Sequence, residues 1–588
     1  MLLPAELAVD ANRDGTIAMA NYNPTGAPVD TTSQTQPFRF WVNDGQNTAE
    51  DKAALYGSSA SPANDTLGYI NYKADLENFA RLWIYTGGLQ SAIKSGAIKV
   101  ALQWQNPSGG PVINVYQAFS PDGGTEYLND DTAANNQVTA VNPNTGSSYG
   151  TMVAQITGSS PVVLPASLFS NLSSTNSLTY CLFEGVHAGT GELVMVFEDS
   201  NGNVIGQGAQ VYMSLKTVTD MYEQAQVTPS GPTDIPSPYN FPANGNWSST
   251  TSVNDANGPP APTVGWNNTT SSNFEHPADE TKNCILYVHG WIVTPERYVQ
   301  QSSECFKRLW WGGYKGLFAS LRWPSEESGA AVSPNYLVDA PDYFDTEYRG
   351  FKYAGSLNQY STSLAGQGYS VAVMAHSMGN IVSSEALKEG ANFQYLMMDA
   401  AVSARCYDTN PTFLSNTSVT FTTPDLYTSG GYGGYFSGLS GLNNAYNSLD
   451  DVLLHDWTSA NAMADKGNTA GTSTSYVYTG GVGVQLQYVL SPAHPSPLYR
   501  DVFTTATTGT NPSLTVSDYH ESMSMYARTE TDAAGVGAIE GAVNTDLNMQ
   551  AYFPGSTAHS PQFDYNLSDS SGGTLQFYKD VITQFNFQ

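Results

Sequence analysis

The sequence predicts a β-rich, sandwich-like domain over residues 1–225, a linker over 226–275, and an α/β domain over 276–588 built on a doubly wound, mostly parallel sheet. Three observations predict this division. Up to about residue 220, short aromatic and β-branched runs are punctuated by Gly, Asn, Asp and Pro. Between about 227 and 275, Pro229-Ser230-Gly231-Pro232, Pro236-Ser237-Pro238 and Pro259-Pro260-Ala261-Pro262 sit among few aliphatic residues, a linker composition. Beyond 275, continuous apolar runs alternate with helical stretches, as in strands joined by crossover helices.

In the first segment, strands are predicted at Phe38–Val42, Arg81–Tyr85, Ile98–Trp104, Val112–Phe119, Met152–Ile156, Leu178–Phe183 and Leu193–Phe197. Ser200-Asn201-Gly202-Asn203, between two apolar runs, marks a hairpin. In the last segment, Cys284–Val288 reads as a buried strand and Pro295–Trp311 as a helix. Leu317–Arg322 is a second strand and Tyr343–Leu364 a second helix. Tyr369–Met374 is followed directly by a helix over Met378–Lys388, and Tyr395–Met398 makes a fourth strand.

The 588 residues exceed what one core usually supports, so several domains are expected. Charged residues make up only 13%, about half the usual share, and the formal charge is −30. Phosphate binding needs a basic surface, so this charge argues against nucleic acid and against an anionic membrane surface. No apolar run is long enough to span a bilayer, so no transmembrane segment is expected. The acidic, Tyr- and Asn-rich composition predicts an exported bacterial protein, secreted or cell-surface. Met1–Glu6 lacks a basic head and apolar run, so the expectation is a mature form without a signal peptide. The four cysteines show no metal-ligand spacing. Cys284 reads as a core residue, while pairing of Cys305 with Cys406 stays open.

The chemistry is concentrated where the strand Tyr369–Met374 runs into Ala375-His376-Ser377-Met378-Gly379 and then a helix. A tight strand-to-helix turn forces its central residue into a strained conformation and requires small residues two before and two after. Ala375 and Gly379 meet that requirement, and the helix N-terminus favours negative charge developing beside Ser377. A second element, Val288-His289-Gly290-Trp291, ends the earlier strand. Gly290 lets the backbone turn close to a substrate, and His289 reads as a packing residue.

Together these segments resemble the bacterial lipases and esterases of the α/β-hydrolase superfamily, over roughly residues 280–588. The resemblance implies Ser377 as nucleophile and an oxyanion hole made by the backbone amides of Met378 and Trp291. It further implies an acid and then a histidine downstream. Of His455, His494, His520 and His559, the last fits best, because Ala558-His559-Ser560-Pro561 precedes a closing amphipathic helix; His520 is the alternative. For the acid, Asp450 in Ser448-Leu449-Asp450-Asp451-Val452 is preferred, with Asp451 and Asp399 as alternatives. The Gly/Tyr/Ser-rich stretch from Ser415 to Tyr446, with Tyr427, Tyr432, Tyr435 and Phe436, has the composition of a lid or acyl-binding wall.

No cofactor is expected for catalysis. Near the start, Asp10, Asn12 and Asp14 place oxygen ligands at every second position before Gly15, as in a loop holding a structural calcium ion. The loop, with Asn43-Asp44, resembles those in the calcium-binding domain of protein-arginine deiminases, and an Asx-rich turn is the alternative. The expected function is cleavage of carboxylic esters, with an apolar or polymeric substrate, through a Ser-His-Asp triad and an acyl-enzyme. An amidase or peptidase with the same triad, or a surface binding protein with an inactive hydrolase domain, are the competing readings.

Overall fold

A computed structural model describes residues 4–43, 76–118, 152–228, 265–325, 340–401, 439, 442–447, 543–556, 558–564 and 573–587. Its first strands are β1 (Glu6–Ala8), β2 (Phe38–Trp41), β3 (Phe79–Tyr85), β4 (Ile98–Ser108), β5 (Val112–Gln117) and β6 (Met152–Ile156). They continue with β7 (Val162–Val163), β8 (Leu178–His187), β9 (Gly189–Asp199), β10 (Val204–Lys216), β11 (Glu223–Val227) and β12 (Trp266–Asn268). The last are β13 (Thr281–Val288), β14 (Gly316–Arg322), β15 (Ser370–His376), β16 (Gln394–Met398), β17 (Leu442–Tyr446) and β18 (Val543–Asn548). The helices are α1 (Gln90–Lys94), α2 (Pro295–Trp311), α3 (Ala340–Gly366), α4 (Gly379–Lys388), α5 (Met549–Tyr552), α6 (Pro561–Asp564) and α7 (Gly573–Gln584).

One five-stranded sheet has the order β1-β3-β8-β5-β6, with every pairing antiparallel. A second has the order β2-β10-β9-β4-β7 and is antiparallel except where β2 joins β10. The β9–β10 connection is the expected hairpin, closed by Asp199 N–H donating to the Asn203 carbonyl at 2.9 Å. Leu82, Ile84 and Phe183 of the first sheet share one buried core with Trp104, Leu193, Met195 and Phe197 of the second. Two fully buried indoles donate their N–H groups, Trp41 to Asn78 Oδ1 at 2.7 Å and Trp104 to the Ile156 carbonyl at 3.1 Å.

The third sheet has eight strands in the order β12-β11-β14-β13-β15-β16-β17-β18. It is mixed: β12 runs antiparallel to β11 at one edge, while the remaining neighbours pair in parallel. Every residue of β15 after Ser370 is buried, which is why its sequence is a continuous apolar run. The start of α2 follows from its caps, since Thr294 Oγ1 accepts from Arg297 N–H and Pro295 occupies the first helical turn. Gly313, with φ at +91°, lets the chain leave that helix.

These findings overturn the predicted fold class. Strand outweighs helix, 37% against 25%, and ten of the eighteen strands lie in the two largely antiparallel sheets, so the chain is a β-rich, mixed-sheet protein. A helix-flanked, mostly parallel sheet behind a separate sandwich does not describe it. The physical reason lies in how the segments join. β11, from the segment read as the end of the first domain, pairs between β12 and β14, and β12 comes from the stretch read as linker. Phe40 and Trp41 of β2 pack edge-on against Trp310 of α2, with ring centroids 5.6 and 5.2 Å apart, so one core runs from the N-terminal sheets to α2 and α7. β11 and β12 thus form one edge of the third sheet. Among the described residues, no helix is long and apolar enough to cross a membrane.

Candidate active site

Ser377 sits between the end of β15 and the start of α4 with φ at +52°, in the left-handed region that non-glycine residues rarely occupy. The turn is held from below. Asn380 Nδ2 donates to the carbonyls of Ala375 (3.1 Å), Ser377 (2.9 Å) and Met398 (3.3 Å), and its Oδ1 accepts from Tyr395 Oη at 2.6 Å. Ser377 N–H donates to the Met398 carbonyl at 2.9 Å, and Ala401 N–H donates to the Ser377 carbonyl at 3.2 Å.

Two glycines are required by close approach. A Cβ on Gly379 would stand 2.5 Å from the His289 carbonyl oxygen and 2.6 Å from that of Val288. One on Gly290 would stand 2.8 Å from the Ser377 Cβ. The His289-Gly290 turn therefore lies directly against the turn at Ser377, and any larger residue at Gly290 or Gly379 separates them. Met378 precedes the first helical residue, and its amide N–H donates to no carbonyl among the described residues, as the helix start dictates. Trp291, the other expected oxyanion donor, is half-buried against the core beneath Ser377.

His289 is fully buried and structural, as expected. Its ring stacks on Trp323 at 5.6 Å, its Nε2 accepts from Trp323 N–H at 3.1 Å, and Nδ1 lies 3.0 Å from the Gly290 carbonyl. An acceptor at Nε2 fixes the proton on Nδ1, a neutral tautomer. His376 is also buried; its Nε2 lies 3.1 Å from the His559 carbonyl and 3.3 Å from Ser560 Oγ. Its Nδ1 is buried with no hydrogen-bond partner among the described residues, so a second proton would be poorly placed. Burial pushes both imidazoles down to about 3, with the neighbouring His559 adding to the effect at His376.

A stability prediction follows. With folded pKa values depressed below the unfolded value of about 6.5, the unfolded chain binds more protons between about pH 3 and 6.5. The stabilisation is full above about pH 6.5 and is lost as pH falls through this window, on the order of 3 kcal/mol per histidine by pH 4. Melting temperature should drop between pH 7 and 4, and His376→Gln should flatten the slope. An equally steep drop in that variant would assign acid lability to other groups.

His559 lies in the loop leading to α6, with its ring 5.0 Å from that of His376, beside Ser377. Among the described residues no side chain hydrogen-bonds the Ser377 hydroxyl, and such bonds commonly form only with substrate in place. Asp399 follows β16, the neighbour of β15, with φ at +41° and full burial. Its Oδ1 accepts from Asn447 N–H at 3.1 Å, and Asn447 Nδ2 donates to the carbonyls of Ala558 (2.9 Å) and Ser556 (3.2 Å). This chain of contacts links Asp399 to the loop that carries His559. Asp450, Asp451, His520, Tyr427, Tyr432, Tyr435, Phe436 and Cys406 lie outside the described residues. Sequence reading gave no weight to Asn380, His376 or Asn447, whose roles depend on contacts between distant segments.

Asp10, Asn12 and Asp14 form a polar loop that does not fit calcium, because Arg81 NH2 stands 2.7 Å from Asp10 Oδ2. The oxygens are further engaged within the loop: Asp10 accepts from the Asp14 and Gly15 amides, Asn12 Oδ1 from the Asp14 amide, and Asp14 from the Thr16 amide and from Asn12 Nδ2. A cation would have to displace a guanidinium, so this is an Asx-rich turn pinned by an ion pair. Asn43 is directed elsewhere, onto Glu184 and Asn78, and Asp44 lies outside the described residues. Cys305 is a buried free thiol 3.7 Å from Tyr578 Oη.

A cavity of about 60 Å³, lined by Arg13, Arg39, Asp279 and Trp310, lies where β13 and β14 begin. Ser377 follows the other end of the adjacent strand β15, so this cavity is remote from it. No protein-family model matches the chain, and no curated protein matches it either.

Proposed function

We propose that this protein is a serine hydrolase of carboxylic esters, with Ser377 as nucleophile, His559 as general base and Asp399 as the acid. The observation that supports this best is the strained turn at Ser377, held by Asn380 and pressed against Gly290. Strain of this kind costs of order 1–3 kcal/mol, persists only where the surrounding structure enforces it, and clusters at functional sites. His559 takes the Oγ proton as Oγ attacks the ester carbonyl carbon. The amides of Met378 and Trp291 stabilise the tetrahedral oxyanion, and the protonated imidazole then delivers its proton to the departing alcohol. Water cleaves the acyl-enzyme by the same steps in reverse roles. The substrate is an apolar or polymeric ester; the charge of −30 disfavours nucleic acid.

A fluorophosphonate probe tests the proposal. Mass spectrometry should find one covalent adduct, on Ser377, and labelling should abolish hydrolysis of p-nitrophenyl butyrate. Absence of the adduct from a folded protein would remove Ser377 as nucleophile.

A further inference from the structure

We infer that Arg308, held in place by Glu77 from the N-terminal part of the chain, is a positioning residue for the loop carrying His559. The inference rests on the serine-hydrolase reading. Arg308 is 2% exposed and Glu77 1%, so both charges have been withdrawn from water at considerable cost. Arg308 Nε stands 3.2 Å from Glu77 Oε1 and its NH2 3.0 Å from Glu304 Oε2, while NH1 donates to the backbone carbonyl of Gln562. Gln562 lies three residues beyond His559, in α6.

Glu77 is itself fixed. Trp311 Nε1 donates to its backbone carbonyl at 3.0 Å, and its neighbour Asn78 accepts from Trp41. The far side of α6 is fixed too, since Phe563 packs edge-on against His376 at 5.5 Å and against Tyr287 at 5.7 Å. The segment from His559 to Phe563 is thus clamped between the nucleophile turn and a guanidinium anchored on the N-terminal sheets. A planar fork is needed, because one group must serve two carboxylates and a carbonyl in different directions; an ammonium cannot reproduce that pattern.

Displacing a general base by about 1 Å costs on the order of 10²-fold. Arg308→Lys is therefore expected to lower kcat for p-nitrophenyl butyrate roughly tenfold or more, with KM changed less than about twofold. The acid limb of its pH–rate profile should shift, and fluorophosphonate labelling of Ser377 should slow in parallel. A purely structural role would lower the melting temperature and leave the acid limb and kcat per folded molecule unchanged. That result would overturn the inference. Glu77→Gln, isosteric and uncharged, decides by the same readouts if Arg308→Lys does not fold. Ser377→Ala runs alongside. If it stays active, the serine-hydrolase reading falls and takes this inference with it. If it is inactive while both network variants match wild type, only the positioning role fails.

Discussion

Replacing Ser377 with alanine is expected to lower hydrolysis of p-nitrophenyl esters by roughly 10³-fold or more while leaving the fold intact. Removing the hydroxyl removes the only atom through which an acyl-enzyme forms in the proposed mechanism. Binding and oxyanion stabilisation would sustain a small residual rate. The backbone at Ser377 is held by Asn380, Met398 and Ala401 through its own amide and carbonyl, none of which the substitution touches. Melting temperature should therefore change little. Steady-state kinetics on the purified variant, with mock-purified material as a blank, checks the result. More than about a tenth of wild-type activity would rule out Ser377 as nucleophile.

His559→Ala is expected to cost about as much as Ser377→Ala, because members of such a unit do not contribute additively. The acid is resolved by a pair of substitutions. Asp399→Asn should lower kcat roughly 10²-fold or more, since the carboxylate that steadies the imidazolium becomes a neutral amide. Asp450→Asn should stay within about threefold of wild type. Reversal of that order would transfer the role to Asp450. Loss of activity in His520→Ala with His559→Ala active would likewise move the base.

Whereas β1, β7, β17 and β18 were not read, the strands with strong apolar or β-branched runs were legible because their signal is local composition. The apolar run of β15 and the Gly/Asn hairpin between β9 and β10 are examples. The strained turn at Ser377 was legible for the same reason, as its steric demands fall on residues within two positions of Ser377. Sheet membership was not. Glu223–Val227 was not read as a strand, and only its register with Ala319–Arg322 reveals that it belongs to the third sheet. Trp266–Asn268, among Pro, Asn and Ser, carries no strand signal strong enough to stand alone, and it pairs because β11 offers an edge. The fold class failed there.

Within the site, sequence spacing ranked Asp399 behind Asp450 because Asp450 stands in a familiar kind of turn. The contacts that favour Asp399 run through Asn447 to the carbonyls of Ser556 and Ala558, more than a hundred residues away. The contact that bears on the calcium expectation is likewise non-local. Oxygen spacing in Asp10–Asp14 is visible locally, whereas the guanidinium that occupies the loop comes from Arg81.

The placement of β11 bears on how the chain reaches its native state. Its pairing with β14 joins residues almost a hundred positions apart, and β14 must be present before β11 has a partner on that side. During synthesis the N-terminal sheets emerge first and can collapse on their own core, but the aromatic face of Phe40 and Trp41 meets its cover only when α2 arrives. Closing such distant pairings is entropically slow, and the waiting surface is both apolar and aromatic. The interval between translation of residue 227 and of residue 322 is therefore the stage at which aggregation is expected to be most favoured and a holdase chaperone to have most to protect.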